Sequence, residues 1–231
     1  MVDAARLHRA KTRRERGQTL IEGPHLVQAA IEAGAVISAV FALERSESTP
    51  PDTLLVDDRA LARLAGTETP RGPIAVLDIP QEQNADGLNL LVAYGLSDPG
   101  NMGALIRIAA GFGWAFAHTP GSADPWSPKV MRAAAGGHFQ TPIVTFSQQS
   151  QVTTVATVVD GGTDLESVRG DRLAVLVGEE ASGLPPEVVA SADFAITIDL
   201  PGPVESLNAA VAAGIVVYEL SNQGRNQRAG V

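Results

Sequence analysis

The stretch "LLVAYGLSDPGNMGALIRIAAGFGWAFAHT" (residues 90–119) decides the fold. Leu90 to Leu96 form an apolar run of strand length, Ser97 to Gly100 a turn built on Asp, Pro and Gly, and Met102 to Gly111 an apolar helix. Ala115 to Thr119 then form a second strand. Two strands this apolar, joined through a helix, predict a parallel pair covered on both faces. The alternation continues to the end of the chain. Strands are predicted in "PIVTF" (142–146), "TTVATVVD" (153–160), "LAVLVG" (173–178) and "FAITIDL" (194–200), and helices in "PKVMRAAAG" (128–136), "PPEVVASA" (185–192) and from Ser206 onward. The expected fold class is α/β with a mostly parallel sheet. The closing segment "VESLNAAVAAGIVVYEL" (204–220) is apolar enough to predict burial, yet Ser206 and Asn208 open it, and buried polar groups need partners.

Upstream, "GPHLVQAAIEAGA" (23–35) predicts a helix stopped by Gly34, and "VISAVFAL" (36–43) a strand. "PPDTLLVDDRALARLAG" (50–66) adds a short strand and an Asp-capped helix ended by Gly66, and "PIAVLDI" (73–79) another strand. Residues 1–78 therefore read as a small alternating α/β unit. "PQEQNADGLN" (80–89) is polar and aperiodic, which places a linker at 79–89 and a second domain at 90–231.

The 231 residues are 45% hydrophobic, enough for a core without staples. Cysteine is absent, which excludes disulfides, thiolate metal sites and a cysteine nucleophile and fits a reducing cytosol. No leader pattern opens the chain and no apolar run is long enough for a bilayer, so a cytoplasmic protein away from membranes is expected. The formal charge of −9 argues against a polyanionic partner until its distribution is considered. Residues 1–25 hold Arg6, Arg9, Lys11, Arg13, Arg14 and Arg16 against Asp3, Glu15 and Glu22. That end suits either a phosphate-gripping segment or a solvated basic helix.

Ligands of open parallel sheets bind beyond the carboxyl ends of the strands. Three such ends carry polar loops: "SDPGNMGALIR" (97–107), "VGEEASGL" (177–184) and "IDLPGPVESLN" (198–208). In the first, Asn101 can cap the helix that carries Arg107. Arg107 stands inside an otherwise apolar helix, where a permanent charge needs either a function or a snorkelling route to water. The four histidines are scattered without metal-ligand spacing, so no metal is expected, and acyl- and phosphoryl-transfer signatures are absent. The residues alone thus reach a cofactor-sized site between three loops.

Together, "DPGNMGALIRIAAGFG", "GEEASGL" and "IDLPGPVESLNAAVAAGIVVYE" resemble the three signature motifs of the SpoU/TrmH family of RNA ribose 2'-O-methyltransferases. "DPWSPKVMRAAAGGHFQTPIV" resembles that family's second crossover, and "RGQTLIEGPHLVQAAIEAG" with "TETPRGPIAVL" its ribosomal-protein-like RNA-binding domain. The resemblance implies a SPOUT-class domain with a C-terminal deep trefoil knot, a homodimer with a site completed across the interface, and S-adenosylmethionine as cofactor. By motif position, Gly178, Ile198, Leu200 and Leu207 would line the cofactor pocket. Asn101, Arg107, Glu180, Ser206 and Asn208 would surround the methyl group and the ribose, Arg107 acting as a base or as an electrostatic stabiliser. Glu179 is the alternative to Glu180 for holding Arg107 or Asn101. Arg9, Lys11, Arg13 and Arg14 would contact RNA, ribosomal RNA before transfer RNA, and a non-catalytic RNA-binding factor is the rival reading. The chain departs from the family pattern at Asp199, where proline is usual, at Ala181, where glycine is common, and at Arg71, where glutamine is frequent.

Overall fold

The computed structural model describes residues 2–44, 50, 52–65, 69–70, 72–81, 83–147 and 152–229. Gly66 and Arg71 lie outside them. A short helix α1 (Val2–Ala5), a 3-10 turn and α2 (Ala10–Arg16) precede β1 (Gln18–Glu22), α3 (Pro24–Glu32), β2 (Ile37–Leu43), β3 (Leu54–Val56), α4 (Asp58–Ala65) and β4 (Ile74–Asp78). These four strands form one sheet in the order β1-β4-β2-β3, with β4 antiparallel to both neighbours. Strand β1 is missing from the sequence reading, because "QTLIE" is five residues between two glycines and has three consecutive buried positions instead of an alternation. The expected Gly34 stop and the Asp cap of α4 are present. Gly34 takes φ +68° just past α3, and the Asp57 carboxylate accepts the Ala60 N–H at 2.7 Å ahead of α4.

Residues 90 onward give β5 (Leu90–Ala93), α5 (Pro99–Phe112), β6 (Ala115–His118), α6 (Pro128–Ala133), β7 (Ile143–Thr145), β8 (Thr153–Thr157), β9 (Leu173–Val177), α7 (Pro186–Ser191), β10 (Phe194–Ile196) and α8 (Ala209–Ala229). The six strands pair in the order β10-β8-β9-β5-β6-β7, parallel throughout. Side chains alternate between two buried faces. Leu91, Ala93, Val175 and Val177 pack with α5, α6 and α8, whereas Leu90, Val92, Ala174 and Leu176 pack with Leu184 and Val188.

The stretch 79–89 is laid against the six-stranded sheet. Gln83 accepts the Ile143 N–H, Arg172 donates to the carbonyls of Ala85 (2.9 Å) and Leu88 (2.7 Å), and Asn89 accepts from Leu173 N (2.9 Å). The two sheets are also welded by an apolar seam of Ile21, Val27, Leu77 and Met131, by Thr19 donating to Trp126 O at 2.5 Å, and by Arg132 near Glu22 at 3.5 Å.

His138 sits beside this seam, its ring 5.2 Å from that of Trp126. Its Nε2 is 2.7 Å from the carbonyl of Pro125, which can only accept, so this nitrogen carries the proton. Burial pushes its pKa down to about 4 from 6.5. The unfolded histidine therefore gains a proton below 6.5 that the native one refuses until about 4. The stabilisation is complete above the unfolded value and is lost as pH falls. Urea unfolding at pH 5 is expected to give a stability about 2 kcal/mol below that at pH 7, and a His138→Asn variant is expected to lose most of that difference. An equal pH dependence in the variant would remove His138 as its cause.

Candidate active site

The site is built where β9, β10 and β5 end. The chain leaves β9 at Gly178 and doubles back at once: the Gly183 N–H donates to Glu179 O at 2.7 Å, and Gly183 takes φ +65°. A Cβ at Gly178 would stand 2.3 Å from the carbonyl carbon of Gly183 and 2.5 Å from the Leu184 nitrogen. Only glycine fits there, because the obstructing atoms are backbone.

Two adjacent carboxylates on this loop hold two different elements. Glu179 accepts from Ser97 N (2.6 Å) and Ser97 Oγ (3.1 Å), which fixes the turn before α5. Glu180 accepts from Asn208 Nδ2 at 2.6 Å, and the same amide group donates to Asn101 Oδ1 at 2.9 Å. Asn208 Oδ1 in turn accepts from Ala210 N (3.0 Å) and Val211 N (3.2 Å). Asn208 is therefore the N-cap of α8, and the helix begins at Ala209 instead of the expected Ser206. The expected cap of α5 is corrected likewise. Asp98 accepts the Asn101 N–H at 2.7 Å with Pro99 opening the helix, so Asn101 lies inside it with its amide free to meet Asn208.

Between these loops lies a cavity of about 380 Å³. Gly178, Ile198, Leu200 and Leu207 line it, as do Glu180 and Ser206. Asn101 and Asn208 do not line it and reach it through Glu180. Arg107 is absent from the lining and is exposed on α5, and among the described residues it has no hydrogen-bond or ion-pair partner. Neither carboxylate holds it. Sequence reasoning did not single out Thr157, the last residue of β8, or Val158 and Val159 after it, which line the cavity. The available signal was "DGG" after that strand: a Cβ at Gly162 would lie 2.5 Å from the Ile196 carbonyl carbon, so β8 and β10 end pressed together. Asp199 is exposed and outside the lining, so its charge is not on the wall.

The closing helix is not fully buried as expected. Ala213, Val216, Val217 and Leu220 face the core, while Val211 (52% exposed), Ile215 (37%) and Tyr218 (53%) form an apolar stripe on the opposite side. Phe112 of α5 meets Tyr218 edge-on at 6.3 Å. Among the described residues no helix is long and apolar enough to cross a membrane.

The basic end divides. Arg9, Lys11 and Arg14 are exposed. Arg13 is 3% exposed, paired with Asp124 at 2.5 Å and bonded to the carbonyls of Leu7 (2.7 Å) and His8 (2.9 Å). Arg13 does not fit the expectation of an RNA contact, since its donors are spent in joining α2 to the loop after β6.

A doubly covered parallel sheet with a cavity walled by the loops after β8, β9 and β10 defines an α/β protein whose ligand site lies beyond the carboxyl ends of its strands. Residues 89–218 match the SpoU rRNA Methylase family and residues 3–75 the MRM3-like substrate binding domain. The chain is 31% identical over 235 residues to the 23S rRNA (guanosine(2553)-2'-O)-methyltransferase RlmP of Bacillus subtilis, covering 94% of each chain. It superposes on an RNA 2'-O ribose methyltransferase with a TM-score of 0.79 at 27% identity, over 97% of this chain and 95% of that one. The fold also matches AviRb of Streptomyces viridochromogenes, solved in complex with AdoMet, with a TM-score of 0.85 at 22% identity and 96% coverage of both chains. The chain belongs to the SpoU rRNA methylase family.

Proposed function

We propose that this protein transfers the methyl group of S-adenosylmethionine to one ribose 2'-hydroxyl of ribosomal RNA, as a cytoplasmic homodimer. The observation that carries the reading is the single network joining Glu180, Asn208 and Asn101 at the wall of the 380 Å³ cavity. The cavity suits the cofactor. Its wall joins apolar side chains such as Ile198, Leu200 and Leu207 to the polar groups of Glu180 and Ser206, and Gly178 lets the loop after β9 double back closely enough to form that wall. Gly178, Ile198, Leu200 and Leu207 would hold the cofactor, which supplies an electrophilic sulfonium methyl when bound. The chain's own task is to orient the sugar hydroxyl and stabilise the charge that develops on its oxygen. Ser206 and Glu180 would orient the hydroxyl from the cavity wall, the Glu180 carboxylate being the group there that can accept its proton, and Asn208, itself bonded to Asn101, fixes Glu180. Residues 1–78 act as the RNA-binding unit, 79–89 as the connection and 90–231 as the methyl-transfer domain. The segment from β10 into α8, which shares the cavity with the loop after β9, threads through the chain as the trefoil knot of this class. Transfer RNA is the alternative substrate.

Arg107 enters from the second copy. Its exposure, its lack of a partner among the described residues and the apolar stripe of Val211, Ile215 and Tyr218 beside Phe112 on the neighbouring helix support this reading. A guanidinium there would stabilise the alkoxide or the adjacent phosphate. Arg107→Ala and Glu180→Gln are each expected to abolish turnover, and co-expressing the two is expected to restore about a quarter of it, because one site in each mixed dimer is intact. No recovery would place Arg107 and Glu180 in the same protomer's site.

Arg9, Lys11 and Arg14 meet RNA phosphate. Replacing all three by alanine is expected to reduce the slope of log affinity against log salt by about 2, with stability unchanged. Arg13→Ala is expected instead to cost about 3 kcal/mol of stability, because it strands Asp124 and opens the joint between the domains. The reverse assignment of the two effects would contradict both roles.

A further inference from the structure

A second cavity, of about 730 Å³, lies between Pro80, Gln81, Gln83 and Asn84 and the strands β6 and β7, remote in sequence from the three signature loops. Gln81, Gln83, Asn84, His118, Trp126 and Thr145 line it. Its described lining residues offer hydrogen-bonding groups and no carboxylate, ammonium or guanidinium. It offers one flat indole and several uncharged groups that both donate and accept. That combination matches an unpaired nucleobase, whose face stacks and whose edge presents donors and acceptors side by side.

We propose that this groove takes up an unpaired nucleobase of the substrate RNA, separate from the nucleotide that is methylated. Its parts are preorganised for that. Trp126 is half-buried and held by Thr19 on its carbonyl at 2.5 Å, by Asp124 on its N–H at 2.9 Å, and by His138 against its ring. Gln83 is oriented by the Ile143 N–H that it accepts, which leaves its amide N–H groups to donate. Burial lowers the His118 pKa, so the ring is neutral, and with one nitrogen bonded to the Thr119 backbone the other is left to accept.

The surroundings supply the route. Gln81 Nε2 lies 3.8 Å from where a Cβ would stand on Gly17, the C-cap of α2, and α2 carries exposed Lys11 and Arg14 for the backbone phosphates. On the other side, the loop after β6 is stitched to the turn that leads into α5, through Ala123 N to Leu96 O at 2.8 Å and Gly95 N to Thr119 Oγ1 at 2.9 Å. The groove is thus joined by direct contacts to the C-cap of the basic helix on one side and, through the loop after β6, to the turn before the Asn101 helix on the other.

The inference rests on RNA being the substrate, and the binding part of its test is independent of methyl transfer. Trp114 is buried and Trp126 is the other of the two tryptophans, so ligand-induced quenching of intrinsic fluorescence reports on Trp126. The intact chain is titrated with a short single-stranded oligoribonucleotide and with an abasic oligomer of equal length. The first is expected to quench and the second to bind more weakly without quenching. Gln81→Ala combined with Asn84→Ala, both exposed positions, is expected to weaken the oligoribonucleotide and to raise KM for RNA, each about tenfold, with S-adenosylmethionine affinity and the unfolding transition unchanged. Equal quenching by the abasic oligomer, or an unchanged affinity and KM in the double variant, would overturn the groove while leaving the methyltransferase reading intact. Loss of methyl transfer from the unaltered chain would fall on that reading instead.

Discussion

Alanine in place of Gly178 is expected to abolish S-adenosylmethionine binding. The added methyl would meet the Gly183 carbonyl carbon at 2.3 Å, its oxygen at 2.5 Å and the Leu184 nitrogen at 2.5 Å. All three belong to backbone that the Gly183 N–H bond to Glu179 O holds in place, so no rotamer change relieves the clash. The loop must open, and with it the carboxylates of Glu179 and Glu180 leave Ser97 and Asn208. Calorimetric titration is expected to show a dissociation constant raised at least about a hundredfold, with thermal unfolding shifted down as well. Gly202→Ala, on the neighbouring loop where a Cβ would meet nothing within 4 Å, is the matched control and is expected to bind normally. Normal binding by the Gly178 variant would mean that this loop does not form the cofactor cradle.

Asn208 has the second large effect, because one side chain does two jobs. Its oxygen caps α8 through Ala210 and Val211, and its nitrogen ties Glu180 to Asn101. Asn208→Ala is expected to lower stability by about 1 kcal/mol through the lost cap and turnover by about a hundredfold or more through the released carboxylate. Asn208→Asp separates the two. A carboxylate caps as well as an amide, and both positions are exposed so that Glu180 can turn away into water, which keeps stability near that of the original, whereas the donors to Glu180 and Asn101 are gone. Stability retained with turnover lost is the predicted pattern. Turnover retained in the aspartate variant would show that the Glu180–Asn208–Asn101 network is not used.

The parallel sheet was legible because strands buried on both faces carry continuous apolar runs, as in Leu90–Ala93 and Leu173–Val177. β1 was not, since a five-residue antiparallel strand takes its partner, β4, from 52 to 60 residues away in register pairs such as Glu22 with Ile74 and Gln18 with Asp78 that no local pattern announces. The cavity residues Gly178, Ile198, Leu200 and Leu207 came from motif register, and all four line the cavity. Partner choice between side chains was beyond sequence. Glu180 was a candidate for holding Arg107 or Asn101 and holds Asn208, while Glu179 holds Ser97. A run of arginines looks uniform in sequence, yet one helical face put Arg13 into the interface with Asp124 and left Arg9 and Arg14 in water. The exposed side of α8 was missed for a related reason: a segment apolar all round reads as buried whether its cover is the same chain or a second copy.

The most direct test of the central claim is to incubate the protein with methyl-labelled S-adenosylmethionine and unmodified ribosomal and transfer RNA, then digest the RNA with alkali. The account predicts label in ribosomal RNA, at one position, in a dinucleotide that alkali does not cleave, because a methylated 2'-oxygen cannot attack the neighbouring phosphate. Label released in mononucleotides, which would mark a methylated base, or no label in either RNA, would contradict it.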